Sequence, residues 1–262
     1  YIAPQLWAWR PKRIETIREF VRRVLVIFPF EEKFYRDQGV DAAFVGHPLV
    51  EHLAAEKPAD LKRELGLDPA ASCVGLLPGS RASEFNHHAE LFAQAARILR
   101  GRRPGLSFLL SVARSAPADA EARFKGIPGL VCVRGRGREI LRSCQAAIVA
   151  SGTATVEAML IGCPFVMAYR MSPLTYRTLK RMVKLDRFAM PNILAGREII
   201  PERVQDQATP ETLAAELESL LDPVRAGAVQ KDLAEASSSL GGSGASARAA
   251  EEVLRTAGLE SS

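Results

Sequence analysis

The residues best suited to chemistry lie in short stretches that fit a phosphorylated ligand. The densest is Ala146–Leu160, AAIVASGTATVEAML. Its apolar run Ala146–Ala150 leads through Ser151, Gly152 and Thr153 into a helical pattern with apolar residues at Val156, Met159 and Leu160. Ser151 is expected to cap that helix. Gly152 lets a ligand approach the backbone, and the first-turn N–H groups stand at the positive end of the helix dipole. Together they form a socket for an anion. Glu157, one turn further in, could accept from paired ribose hydroxyls. An ordinary cap followed by a surface glutamate fits the same residues, and the stretch alone leaves both readings open.

A second stretch, Leu76–Arg81, leaves a strand and enters a helix. Gly79 permits a tight turn, Ser80 can donate or accept, and the Arg81 guanidinium can fork onto two phosphate oxygens. A capped turn with an exposed arginine is the alternative. The third stretch is Arg134-Gly-Arg-Gly-Arg138, where Gly135 and Gly137 could show backbone groups to the edge of a base. RG-rich pieces also occur in RNA-binding tails, but this one is bracketed by a strand and a helix, which favours a loop at a sheet end. Arg170 is expected to face the same cleft. Asn192, just after Pro191, suits a helix cap or a substrate contact.

Residues 173–185, PLTYRTLKRMVKL, form an amphipathic pattern at about 100° per residue, with Leu174, Tyr176, Leu179, Met182, Val183 and Leu185 in one sector. Arg177, Lys180, Arg181 and Lys184 fill the opposite one. Such a helix can lie in an anionic membrane interface or dock on a core with its cationic face outward. His87 and His88 are adjacent on a helix, so their side chains diverge and cannot share a metal as i, i+4 histidines do; both are expected at the surface. No metal-ligand spacing, Walker lysine loop, GxSxG or strand-following GxGxxG is present.

The elements that must position these residues follow from the pattern. Strands are expected at 73–77, 107–112, 130–133, 146–150 and 164–169, with helices at 60–65, 83–100, 119–125 and 138–144 between them. That alternation predicts an α/β fold, a doubly wound parallel sheet, with ligands at the carboxyl ends of its strands. Before it, a helix (11–23), a strand (24–28), a helix (31–38) and a short strand end at Gly46-His47-Pro48, where a boundary is expected. Trp7 and Trp9 are expected to pack in a core. After it, helices at 211–221, 224–236 and 245–257 follow, the last Ala-rich and expected to pack outside the sheet.

The 262-residue chain carries a net charge of +5, with 47% apolar and 25% charged residues, so a folded domain with an anionic partner is expected. No run approaches the roughly 18 apolar residues of a membrane span. The four cysteines, Cys73, Cys132, Cys144 and Cys163, form no CxxC pair and read as core residues of a reducing compartment. The chain does not begin with Met, and YIAPQLWAW reads as the end of a strand; a piece of a longer protein is expected.

Taken in order, YIAPQLWAWRPKR, LLPGSR, ASGTATVEAML, YRMSPLTY and PNILAGRE closely resemble the lipid-A-disaccharide synthase family, bacterial glycosyltransferases of the GT-B fold. The resemblance runs over essentially the whole chain. It implies inverting transfer of 2,3-diacylglucosamine from its UDP-activated form onto 2,3-diacylglucosamine 1-phosphate. It further implies a donor domain at 49–210 with a Rossmann-like sheet, the tail of a second Rossmann-like acceptor domain at 1–48, and helices at 211–262 that pack across domains or between subunits. The general base would lie in the missing first half.

By the same resemblance, Arg81, with Gly79 and Ser80, would meet the pyrophosphate. Ser151, Gly152 and Thr153 would offer it the helix tip, and Glu157 would take the ribose. Gly135, Gly137 and Arg138 would border the uracil, and Asn192 would stand with Arg81 at the reacting diphosphate and sugar. No cofactor or metal is implied. Tyr176, Arg177, Lys180, Arg181 and Lys184 would meet an anionic membrane, since both substrates are lipids. A homodimer, peripheral on the cytoplasmic face of the inner membrane and without a nucleic-acid partner, would follow. Another UDP-sugar enzyme of this fold, or a basic RNA-binding module using RGRGR, are the competing readings.

Overall fold

A computed structural model describes residues 1–7, 13–57, 59–172 and 187–259. It divides into two units, one taking in Lys57–Pro173 and Arg187–Ala234, the other Tyr1–Glu56 and Glu235–Ser262.

In the larger unit, apolar runs become parallel strands because helices intervene between them. After a short helix capped by Asp60, strand β3 (Cys73–Leu77) pairs with β4 (Ser107–Val112), and β4 with β5 (Leu130–Arg134). The chain then returns to the other side of β3 with β6 (Ala146–Ala150), followed by β7 (Phe165–Tyr169) and β8 (Glu202–Val204). The order β5-β4-β3-β6-β7-β8, all parallel, is the doubly wound arrangement expected from sequence. Every residue of β3 and β6 is buried, so both faces of the sheet are covered.

The connecting helices are α5 (Ala82–Arg102), α6 (Gly137–Ser143), α7 (Thr153–Ile161) and α8 (Met190–Ala195). The short helix at Leu61–Glu64 is α4. The helix expected at 119–125 is a single 3-10 turn at Ala122–Phe124, and β8 was not foreseen as a strand.

The expected boundaries shift. Helix α9 (Pro210–Leu220) buries Leu213, Ala214, Leu217 and Leu220 against α5, β6 and β7, so it belongs to the larger unit rather than to a separate C-terminal layer. Helix α3 (Pro48–Ala55) falls in the smaller unit, which moves the first boundary from 48 to 56. Helix α10 (Pro223–Ser238) carries the chain from one unit into the other.

The smaller unit is built on two parallel strands, β1 (Val24–Val26) and β2 (Ala42–Phe44). Because alternate residues face opposite ways, Val24, Val26 and Ala42 join Leu6, Ile14, Tyr35 and Val40 on one side. These come with helices α1 (Ile14–Phe20) and α2 (Pro29–Asp37). Leu25, Ala43 and Val45 face the other side and meet Ala249 of α11 (Ala245–Ala257). The Ala-rich helix, expected to pack outside the chain's own sheet, thus covers this second sheet of the same chain.

Arg248 fastens α11 by donating to the carbonyls of Val45, Gly242 and Ser243 at 2.9, 3.1 and 2.9 Å. Glu51 accepts from the Gly244 N–H at 3.0 Å and from the Ser246 hydroxyl. Residues 1–7 are not a strand. Tyr35 donates to the Pro4 carbonyl at 2.7 Å, and Trp7 packs edge-on against Phe30 while its indole N–H reaches Glu31 at 3.0 Å. Trp7 is thus half-buried against Phe30 at the margin of the core rather than within it; Trp9 and the helix start at Pro11 lie outside the described residues.

His47 caps α3, its Nδ1 accepting from the Leu49 N–H at 3.1 Å, and is 5% exposed. Burial holds its pKa down at about 4 against an ordinary 6.5. A histidine depressed on folding leaves stability intact above the unfolded value and removes it as pH falls toward the folded one. Stability, read from the urea midpoint, is therefore expected to fall between pH 6.5 and about 4, by up to about 3 kcal/mol. His47→Asn, which keeps a capping acceptor without a titrating group, should flatten that part of the profile.

Candidate functional site

β3 ends at Leu77 beside Val149 of β6, and β4 lies on the opposite flank of β3. The loops that leave β3 and β6 therefore part company at the centre of the sheet edge, the switch point at which doubly wound sheets bind ligands.

The loop after β3 is Pro78-Gly79-Ser80-Arg81. Gly79 has φ +124, and a Cβ there would stand 2.6 Å from Cβ of Glu84. The space is needed because the Glu84 carboxylate folds back over the loop and accepts from the N–H groups of Ser80 (3.2 Å) and Arg81 (3.4 Å). It also pairs with the exposed Arg81 guanidinium. This is a capping box around α5, and it means that the donors suited to a phosphate are satisfied here by the chain's own carboxylate. From the loop after β4, the Ser115 hydroxyl donates to the Ser80 carbonyl.

The loop after β6 differs from expectation in one respect. Gly152, not Ser151, is the N-cap of α7, with φ +133 and ψ −157, values a serine would resist. A Cβ on Gly152 would meet nothing within 4 Å, so the glycine serves the turn and leaves the ground above it open. Thr155 closes the first turn by donating its hydroxyl to the Gly152 carbonyl at 2.8 Å. Gly152 and Thr153 are exposed, and this nine-residue helix opens at that edge with the positive end of its dipole.

The structure joins two residues that the sequence treats separately. Arg138, in the first turn of α6, donates from Nε to Glu157 of α7 at 2.8 Å. Gly137 opens α6, and Gly135 turns the chain out of β5 at φ +69. The arginines of RGRGR do not form a bare cationic strip. Arg134 meets Glu121 at 2.6 Å and Arg136 meets Glu64 at 2.7 Å as well as Glu139, so a nucleic-acid backbone would have to displace carboxylates at each position.

His88 corrects the surface expectation: it is 0% exposed, while His87 is exposed. Its Nδ1 lies 3.0 Å from the Pro78 carbonyl, and its Nε2 accepts from the Arg170 N–H at 2.9 Å. The ring is therefore neutral and protonated on Nδ1, and burial lowers its pKa. The Arg170 backbone is thus tied through His88 to the loop after β3. Tyr169 sits beside it. Burial, and after it the Glu84 carboxylate, raise the Tyr169 pKa, with Arg81 opposing.

Asn192, expected at the reacting diphosphate or sugar, is 0% exposed and wholly engaged within the protein. Its carbonyl accepts from the N–H groups of Ile199 (2.8 Å) and Ile200 (3.0 Å), and its amide donates to the Ile200 carbonyl (2.9 Å) and Glu202 (2.7 Å). In this arrangement it braces the turn between α8 and β8. The residues expected at a membrane, Tyr176, Arg177, Lys180, Arg181 and Lys184, lie outside the described ones. No described helix is long and apolar enough to cross a membrane, and the described residues hold no cluster of three or more metal-ligating side chains.

Comparison with known proteins bears on the family and on the fold. Residues 1–255 match the family model described as lipid-A-disaccharide synthetase. The lipid-A-disaccharide synthase of Koribacter versatilis is 44% identical over 261 residues, covering 98% of this chain and 68% of that protein. That of Pseudomonas paraeruginosa is 44% identical over 260 residues, covering 97% and 68%. Among solved structures, S. aureus MnaA in complex with UDP has a TM-score of 0.66 at 11% identity, covering 94% of this chain and 62% of that one. The UDP-GlcNAc 2-epimerase of Neisseria meningitidis bound to UDP-GlcNAc also gives 0.66 at 11% identity, covering 97% and 67%. At such identities these structures establish the shared fold.

Asn192→Ala is expected to leave two buried N–H groups without acceptors and to lower the stability of the protein by about 3 kcal/mol or more, read as a fall in the urea midpoint. A midpoint unchanged from wild type would contradict the bracing role.

Proposed function

The chain belongs to the lipid-A-disaccharide synthase family of glycosyltransferases, and on that premise we propose that the switch point at the ends of β3 and β6 holds the UDP of a UDP-activated diacylglucosamine donor. The observation that carries this reading is the exposed Gly152–Thr153 tip of α7 at the switch point, beside the strand whose loop carries Arg81. A diphosphate at that tip takes up the exposed Arg81 guanidinium by displacing Glu84, which holds it and the Ser80 and Arg81 N–H groups in the free protein. Glu157, steered by Arg138, then accepts from the ribose, and the Gly135–Arg138 segment borders the uracil. Arg170 faces the diphosphate from the β7 side.

The acceptor is diacylglucosamine 1-phosphate, and the anomeric configuration inverts as UDP leaves. Arg81 and the helix tip stabilise the leaving diphosphate. Their contribution is bounded: a helix terminus supplies about 0.3–2 kcal/mol and a charge-assisted hydrogen bond about 1.5–3 kcal/mol. Enzymes lower barriers by at least about 8 kcal/mol. Positioning of the acceptor and base catalysis must supply the remainder, and both are assigned to the part of its relatives' length that this chain does not span.

Two finer readings accompany this one. Residues 176–185 meet an anionic leaflet, which places the protein peripherally on the cytoplasmic face of the inner membrane, because the substrates' acyl chains are lodged there. Exposed Val253, Leu254 and Leu259 at the end of the chain support a homodimer; sedimentation as a monomer alone would count against it.

Calorimetric titration is expected to show UDP binding preferred over ADP and weakened about tenfold or more by Arg81→Ala, the scale of a lost charged contact. Equal affinity for ADP, or indifference to Arg81→Ala, would overturn the donor-site reading. Reversing the charges of Lys180 and Arg181 should reduce sedimentation with anionic vesicles; undiminished binding would sink the membrane role.

A further inference from the structure

The contacts of His88 bear on the donor site in a way that no motif announces. β3 and β7 are not neighbours in the sheet; β6 lies between them. No ladder bond can therefore fix the loop after β3 relative to the residue that follows β7. The imidazole makes that connection, donating from Nδ1 to the Pro78 carbonyl and accepting at Nε2 from the Arg170 N–H. It thereby ties the two strands that flank β6, whose own loop carries the α7 tip.

The bridge is rigid. An imidazole has no internal rotor between its two nitrogens, and this one is fully buried, with Tyr169 on one side and Phe92 on the other at ring-centroid distances of 5.8 Å. Glu84, one turn earlier on the same helix, fastens the Ser80 and Arg81 N–H groups. Helix α5 thus holds the phosphate loop at two points and Arg170 at a third.

Resting on the donor-site reading above, we infer that His88 is a positioning residue for the diphosphate: it sets the gap between the Gly79–Arg81 loop and Arg170, and so the width of the site that straddles β6. It touches no ligand itself. Its effect should fall on the phosphates and spare the nucleoside, which is held by the Gly135–Arg138 and Glu157 side of the site.

Titration of UDP and of uridine into wild type, His88→Leu, His88→Gln and His88→Asn tests this. His88→Leu is expected to lose about tenfold in UDP affinity, the scale of one displaced hydrogen-bonding group, with uridine affinity unchanged. His88→Gln, which keeps an acceptor near the Nε2 position, should recover most of the loss, and His88→Asn, too short to reach Arg170, should not. Equal losses for UDP and uridine would overturn the positioning role in favour of general destabilisation, as would unaltered UDP binding by folded His88→Leu. Should the leucine variant not fold, UDP affinities of the Gln and Asn variants that do not differ would overturn it as well. Wild type and Arg81→Ala run alongside separate the two claims. Failure of those two to differ removes the donor-site reading and this inference with it, whereas their expected difference with no effect at His88 removes this inference alone.

Discussion

The parallel pairing of β3 with β6, from Val74 opposite Ala146 to Leu77 opposite Val149, is the constraint on which the upper edge of the larger unit depends. From β3 the chain winds outward one way through β4 and β5, and from β6 it winds the other way through β7 and β8. Right-handed crossovers then send α5 and α7 to opposite faces of the sheet. Their N-termini still open onto one edge, because both strands end there. Two helix tips can approach a single ligand only at such a reversal. The rest of the site consists of devices that hold those tips steady.

Those devices are mostly carboxylates. The net charge of +5 suggests an abundance of free cations, yet along that edge Arg81 meets Glu84, Arg138 meets Glu157, Arg136 meets Glu64 and Arg134 meets Glu121. Half-exposed pairs of this kind add little stability. They do set the direction of each guanidinium. With those guanidinium groups paired, the backbone amides at the Gly152–Thr153 tip of α7 stand out as donors of fixed aim.

Much of this was legible in the sequence, for reasons that can be named. The strands at 73–77, 107–112 and 146–150 were found residue for residue, because buried parallel strands are short uninterrupted apolar runs set off by helical patterns. The glycines at 79 and 152 marked the two turns. The cap was misplaced because serine is the better general cap, whereas this turn needs a positive φ that outweighs the serine hydroxyl. His88 was misjudged although a signal was present: with Phe85, Ala89 and Phe92 it occupies the i, i+3, i+4, i+7 stripe that α5 buries. Glu84 stands three residues after the loop, where a capping box would put it. The brace at Asn192 left no such trace, since its partners are backbone groups whose position depends on where β8 lands. Ser115 likewise reaches Ser80 through tertiary structure alone.

The smaller unit takes its sheet from the beginning of the chain and the helix that covers it from the end, with Glu51 and Gly244 bonded across 193 residues of sequence. During synthesis the second face of β1 and β2 meets Ala249 only after the whole larger unit has been made. Chain closure over so long an interval is slow in entropic terms. Prior folding of the larger unit shortens the effective span by bringing its two ends to fixed places. The larger unit can thus complete its sheet before the Leu25, Ala43 and Val45 face of the smaller one receives α11.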